Sequence, residues 1–249
     1  MNNEPFKYSP SVWIVPALLS LFIWIIFLID QFFNFDLNKY GIVPRTAIGF
    51  LGVFFSPFLH NDLNHIANNT VPLFILSMAL VYFYRDLSLK VLFWGILVSG
   101  FCTWVIGRSG NHIGASGLIY VLFSFLFFKG FITKYYRLMA LSFTIVLVYG
   151  GMIWYVFPQP DIAGVSQNVS WEGHLSGLVT GCVFAILYKT PVYVADRKYA
   201  WQHPDFDAGQ DDFMKHFDQN GHFAPKPIEE PATDDQDGTP LIVYHLKSN

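Results

Sequence analysis

Charge is what this chain has least of. Aspartate, glutamate, lysine and arginine together make up 13% of its 249 residues, about half the share of an average soluble domain, which argues against a soluble globular protein. Cysteine is almost missing too. Cys102 and Cys182 both lie inside apolar runs, so they read as small buried hydrophobes, and a disulfide framework or a zinc site is excluded for want of ligands at the right spacing. The net charge of -3 and the lack of any basic, aromatic-interleaved patch exclude nucleic acid as a partner. No internal repeat and no paired charges deep in several apolar runs are present, which removes the main signatures of a transporter.

What the chain has in abundance is apolar and aromatic surface, 53% and 18% of residues. Six apolar segments, at residues 12–29, 64–84, 89–106, 114–128, 138–157 and 173–188, approach the length of about 20 residues that a helix needs to cross a bilayer. The fourth is short for a full crossing. Residues 30–64 are broken by Gly41, Pro44, Gly49, Gly52 and Pro57, so they can dip into the interface but cannot cross as one exposed helix. A polar leader, 1–11, precedes the spans, and no small-residue cleavage site follows it, so this end is expected to be retained. Beyond residue 190 the composition turns acidic and rich in Pro, Gln and Gly. Such a tail, 191–249, buries too little apolar surface to offset its ordering entropy and is expected to be largely disordered.

Loop charges set the orientation, because lysine and arginine gather on the cytoplasmic side. Lys7, Arg85, Lys90, Lys129, Lys134, Arg137, Lys189, Arg197 and Lys198 fall on one face, and Lys39, Arg45 and Arg108 on the other. Nine against three predicts that both termini are cytoplasmic.

Under this topology four polar groups reach one depth near the outer surface: His65 and Asn69 at the start of the second span, Ser116 at the start of the fourth, and His174 at the start of the sixth. Polar and ionisable residues within spans are costly, so each is a functional candidate. His65 and Asn69 are four apart and share one helix face; Ser116 and Tyr120 have the same spacing. Gly177 and Gly181 line the helix face of His174, and small residues there let helices approach closely. Pressed against Gly117, that face would bring His174 within hydrogen-bonding reach of Ser116.

His60 with His65 and Asn69, then Gly114-Ala115-Ser116-Gly117 followed by Tyr120, then His174 with Gly177 and Gly181, together resemble the rhomboid family of intramembrane serine proteases. The likeness runs over roughly residues 40–188. It implies an all-α integral membrane protein, a six-helix bundle with a membrane-associated first outer loop, a short fourth helix and a water-filled cavity open to the outside. It also implies roles: Ser116 as nucleophile, His174 as general base, His65 and Asn69 as oxyanion-hole donors with the Ser116 backbone N–H, His60 as a structural histidine, and Tyr120 as a ring stacked on the base. A Trp-Arg pair shown by many bacterial members in that loop is absent, and Phe54-Phe55 stand in its place.

A serine hydroxyl needs a base to attack an amide, and Glu172, two residues from His174, points to the opposite side of a helix. A Ser-His dyad is therefore expected, with no cofactor and no metal. The connection 158–170, polar and containing Gly164, is placed to act as a lid. The resemblance implies an endopeptidase of the bacterial inner membrane whose partners are the lipid bilayer and single-span membrane proteins cut in or near their transmembrane segments. The alternative is an inactive rhomboid-like protein that binds membrane clients; such a protein should lack the serine or the histidine, and both are present.

Overall fold

The computed structural model describes Phe6, residues 8–158, residues 170–190, Tyr199, Trp201, residues 204–207 and residues 209–224. The chain divides into two units, Met1–Val194 and Ala195–Asn249.

Among the described residues the first unit is helical, with seven α-helices: α1 (Ser11–Phe33), α2 (Ala47–Phe55), α3 (Leu63–Phe83), α4 (Arg85–Ile106), α5 (Ser116–Thr133), α6 (Tyr136–Tyr149) and α7 (Trp171–Leu187). Four of these (α1, α3, α4 and α5), together with α6 as prolonged by the 3-10 turn Gly150–Val156, are long and apolar enough to cross a membrane. Large apolar side chains stand exposed on them, among them Leu18, Phe93, Phe143 and Leu147. In lipid such exposure is the favourable state, and the protein is a multi-pass membrane protein.

Hydroxyl groups inside these helices are satisfied locally. Ser77, Ser99, Thr103, Ser124 and Thr180 each donate to the carbonyl four residues earlier, which removes the cost of a polar group in a dry setting.

α5 is the central helix. Leu118, Ile119, Tyr120, Val121, Leu122, Phe125 and Leu126 are all buried, so it is apolar all round, and its most extensive packing is with α7. Glycines make that packing close. A Cβ on Gly177 would collide with the Gly117 carbonyl oxygen and lie 2.9 Å from Tyr120 Cβ. Gly181 meets a different part of α5, where a Cβ would collide with Ser124 Oγ and the Val121 carbonyl oxygen. Of Gly177 and Gly181, Gly117 therefore faces only Gly177, and Gly181 sits one turn deeper because the two helices run alongside each other.

Two expected boundaries move. Residues 85–90 form the first turns of α4 instead of a charged loop, and Tyr84 alone separates α3 from α4. Asp86 lies in that first turn, where the helix dipole favours an acid, and Ser88 Oγ donates to the Arg85 carbonyl. The fourth apolar segment also ends later than expected. α5 has 18 residues, the fewest of the five spans, about 27 Å of helix, and runs five residues past 128, beginning with Lys129. That side chain is only 3% exposed and donates to the carbonyls of Ala185 and Tyr188 at the end of α7. It satisfies acceptors that a helix C-terminus leaves unpaired.

The region before α3 folds over the end of α4 and the loop that precedes α5. A 3-10 turn at Leu37–Tyr40 leads through Ile42 to α2, whose nine residues span only about 13 Å and cannot cross. Thr46 caps α2 by accepting from Gly49 N–H at 3.0 Å. Ile42 exchanges both backbone hydrogen bonds with His112, each 2.9 Å, and Arg45 Nη1 donates to the carbonyls of Val105 and Gly107 at the end of α4. Phe54 and Phe55 are exposed on α2.

In the second unit the described residues include a short turn over Met214–His216, an isolated bridge between Phe217 and Phe223, and Asp218 accepting from the N–H groups of Asn220 and His222. This part of the acidic tail carries local turns fixed by aspartate side chains.

Candidate active site

A cavity of about 900 Å³ lies at the helix ends where α3, α5 and α7 begin, lined by residues that include Asp62, His65, Asn69, Ser116, Tyr120 and His174. Each side chain reaches it from a separate local device.

On α3, Asp62 is the N-cap and accepts from His65 N–H at 2.9 Å. That cap starts the helix so that His65 and Asn69 fall one turn apart on the cavity face. Asn69 is buried, and its Nδ2 has no hydrogen-bond partner among the described residues. The ring of His60 stands edge-on to His65 at 5.0 Å and 66°. Burial lowers the His60 pKa to about 4, and the neighbouring His65 adds to that shift.

Gly114 precedes α5 with φ +111, a conformation that glycine adopts freely and L side chains resist. A Cβ built there would lie 2.5 Å from His65 Nε2 and 3.4 Å from Asn69 Nδ2. Gly114 thus leaves a gap onto which both polar side chains of α3 converge. Its N–H donates to the Ser56 carbonyl at 2.8 Å, which fixes the loop just before Ser116. Ser116 is the first residue of α5, so its own N–H belongs to the unpaired set at a helix N-terminus.

On α7, Ser170 caps the helix by accepting from Gly173 N–H at 3.2 Å, and His174 lies 8% exposed in the first turn. Its Nδ1 sits 2.9 Å from the carbonyl oxygen of Tyr155. A carbonyl only accepts, so Nδ1 carries the proton and Nε2 of the neutral ring keeps a free lone pair. Tyr120 stacks on the ring at 4.3 Å and 19°, and its hydroxyl donates to the Met152 carbonyl at 2.6 Å. Glu172 is buried, and its Oε1 accepts from Arg108 N–H at 3.2 Å. It makes no hydrogen bond to His174.

Ser116 and His174 line the same cavity. Among the described residues no hydrogen bond closes between them, the His174 ring being held through Nδ1. Nor do any three His, Cys, Asp or Glu side chains gather as metal ligands among the described residues. Of the expected lid, 158–170, residues 159–169 lie outside the described residues.

Three groups of the site leave no spacing signal in the sequence, although His112 itself stands in the polar rim beside Ser116. The Tyr155 carbonyl is a backbone group and leaves no side-chain signal. His112 and Ser170, hydrogen-bonded at 2.6 Å, are 58 residues apart and carry no recognisable spacing; a histidine four residues before Ser116 was the available clue.

Comparison with known proteins adds to this geometry. The chain is 34% identical over 191 residues to an uncharacterized protein of Mycobacterium tuberculosis, covering 72% of this chain and 78% of the relative. An uncharacterized protein of Mycobacterium leprae is 31% identical over 192 residues, 72% and 74% of the two chains. A protein of Acanthamoeba polyphaga mimivirus, named as a rhomboid protein, is 25% identical over 193 residues, 76% of this chain and 98% of its own. The family model described as the Rhomboid domain matches residues 49–190, a stretch that holds every cavity side chain named above, and on that match the chain belongs to the rhomboid family.

Proposed function

We propose that this protein is an intramembrane serine endopeptidase that cuts single-span membrane proteins in or near their transmembrane segments through a Ser116-His174 dyad. The observation that carries this reading is the meeting, in one cavity, of a helix-start hydroxyl, an imidazole whose Nε2 lone pair is free, and a buried unpartnered amide donor. Ser116 Oγ gives its proton to His174 Nε2 and attacks the substrate carbonyl. The oxyanion forms in the gap at Gly114, where His65 Nε2, Asn69 Nδ2 and the Ser116 N–H donate to it. His174 returns the proton to the leaving amine, and water then hydrolyses the acyl-enzyme. The Tyr155 carbonyl holds the imidazole in the tautomer that this cycle needs, the role that a carboxylate plays in a triad.

α7 serves as the sixth crossing in this reading; its 17 residues give about 26 Å of helix. The apolar surface of α2, including Ile48, Phe54 and Phe55, supports contact of the first outer loop with lipid. Of the charges that set the topology, Arg85, Lys90, Lys134 and Arg137 lie at or near the α3–α4 and α5–α6 junctions, and Lys39, Arg45 and Arg108 at the opposite ends of the helices. Lys7, Arg197 and Lys198 lie outside the described residues. With bacterial relatives, this supports a bacterial inner membrane protein with both termini in the cytoplasm. A cysteine placed at Ser109 is then expected to react with an impermeant thiol reagent in intact cells, and one at Lys134 only after permeabilisation; the opposite pattern would invert the topology.

The activity is tested with purified protein in liposomes and a labelled transmembrane substrate. Ser116→Ala and His174→Ala should reduce cleavage to background, and Asn69→Ala should slow it about 100 to 1,000-fold. Equal cleavage by wild type and both dyad variants would sink the protease reading. Client capture by the wild type without turnover would favour the inactive, client-binding alternative.

A further inference from the structure

A closed circuit of hydrogen bonds joins the loop before α5 to the first turn of α7. His112 Nε2 lies 3.0 Å from the Arg108 carbonyl oxygen, and Nδ1 lies 2.6 Å from Ser170 Oγ. Ser170 Oγ accepts from Gly173 N–H at 3.2 Å, and Arg108 N–H donates to Glu172 Oε1 at 3.2 Å. Glu172 and Gly173 are adjacent in α7, so the path returns to the helix it left.

The direction of each bond follows from what each atom can do. The Arg108 carbonyl only accepts, so His112 Nε2 carries the ring proton. In the neutral ring Nδ1 is then an acceptor, and the Ser170 hydroxyl donates to it while an Oγ lone pair takes the Gly173 N–H. This is the neutral tautomer that satisfies every partner. His112 is 7% exposed, and leaving either ring nitrogen unpaired there would carry a desolvation cost. Its backbone is fixed as well, by the paired hydrogen bonds to Ile42.

The placement of the link gives it meaning. His112 is four residues before Ser116, and Ser170 is four residues before His174. The bond between them spans the two separate segments that carry the hydroxyl and the imidazole, and both linking residues line the same cavity as that pair. Glycine contacts between α5 and α7 set how closely the helices approach, but they lie below the dyad and do not fix the loop above it. We infer that His112 is a positioning residue, which through Ser170 holds the loop carrying Ser116 in register with the helix carrying His174. The inference rests on the protease reading. Its chemistry is spacing: a hydroxyl and a base reach reacting distance without a search at each turnover.

The test compares wild type, Ser116→Ala, His112→Phe, Ser170→Ala, the His112→Phe/Ser170→Ala double variant and Ser170→Thr in liposomes, with the full chain and saturating substrate. Each single variant of the link should lower kcat about tenfold with KM unchanged, as expected for one lost hydrogen bond that acts on the reacting groups and not on the substrate helix. The double variant should be no slower than the slower single, since both remove one link, and Ser170→Thr should recover activity relative to Ser170→Ala. Independently of turnover, the ring 15N resonances of His112 in liposomes at pH 7.5 should show a protonated Nε2 and a bare Nδ1 whose shift moves in Ser170→Ala. If His112→Phe does not fold, the Ser170 variants and the resonances decide. Wild-type kcat in Ser170→Ala, multiplied losses in the double variant, or a protonated Nδ1 would overturn the positioning role while leaving the protease reading intact. Wild type no faster than Ser116→Ala would instead bring down that reading and the positioning role with it.

Discussion

Several side chains of this site are polarised by their surroundings and not by other charges. Among the described residues no carboxylate hydrogen-bonds to His174, yet a peptide carbonyl settles which nitrogen is protonated. Among the described residues Asn69 keeps a buried donor unpaired, a cost of about 1–3 kcal/mol that fits the proposed receipt of a ligand oxygen. His60 shows a different use of burial. It is 2% exposed, and its pKa, lowered to about 4 chiefly by desolvation, keeps it neutral at neutral pH. In the unfolded chain the same ring takes up a proton near pH 6.5. The unfolded state therefore binds more protons between about pH 6.5 and 4, and the stability contributed by neutral His60 is complete above that window and lost as pH falls through it. The loss is at most about 3 kcal/mol. Unfolding in mild detergent across that range should give a steeper pH dependence for wild type than for His60→Asn; parallel curves would show that His60 is not buried as a neutral ring.

The pairing of α5 with α7 is the contact on which the proposed Ser116-His174 dyad depends. A leucine at Gly177 cannot be seated against the Gly117 carbonyl and Tyr120 Cβ without pushing the helices apart, and a displacement of about 1 Å costs about 100-fold in rate. Gly177→Leu should therefore lose at least that much cleavage although neither dyad residue is altered, and normal cleavage would show that this contact does not set their separation. Much of this arrangement was legible in the sequence, because four-residue spacings place His65 with Asn69 and Ser116 with Tyr120 on single helix faces. The partner of Gly181 was not, since which turn of a neighbouring helix a glycine meets depends on the relative shift of the two helices. The same limit hid the His112-Ser170 bond. Side-chain spacing reports neighbours along one element, and this bond crosses between two.

The molecule as a whole is governed by the scarcity of charge. With 13% charged residues, the few lysines and arginines among residues 8–190 gather at one set of helix ends or the other. Lys129 was counted among the loop charges, but its length lets the ammonium bend back to the end of α7 while the backbone stays helical. That bond also has a direction in time. Lys129 precedes Ala185 by 56 residues, which at roughly 5–20 residues per second is an interval of about 3–11 s during synthesis. Throughout that interval the acceptors of its ammonium have not yet been made, so the central helix of the bundle completes its polar contacts only when the last one arrives.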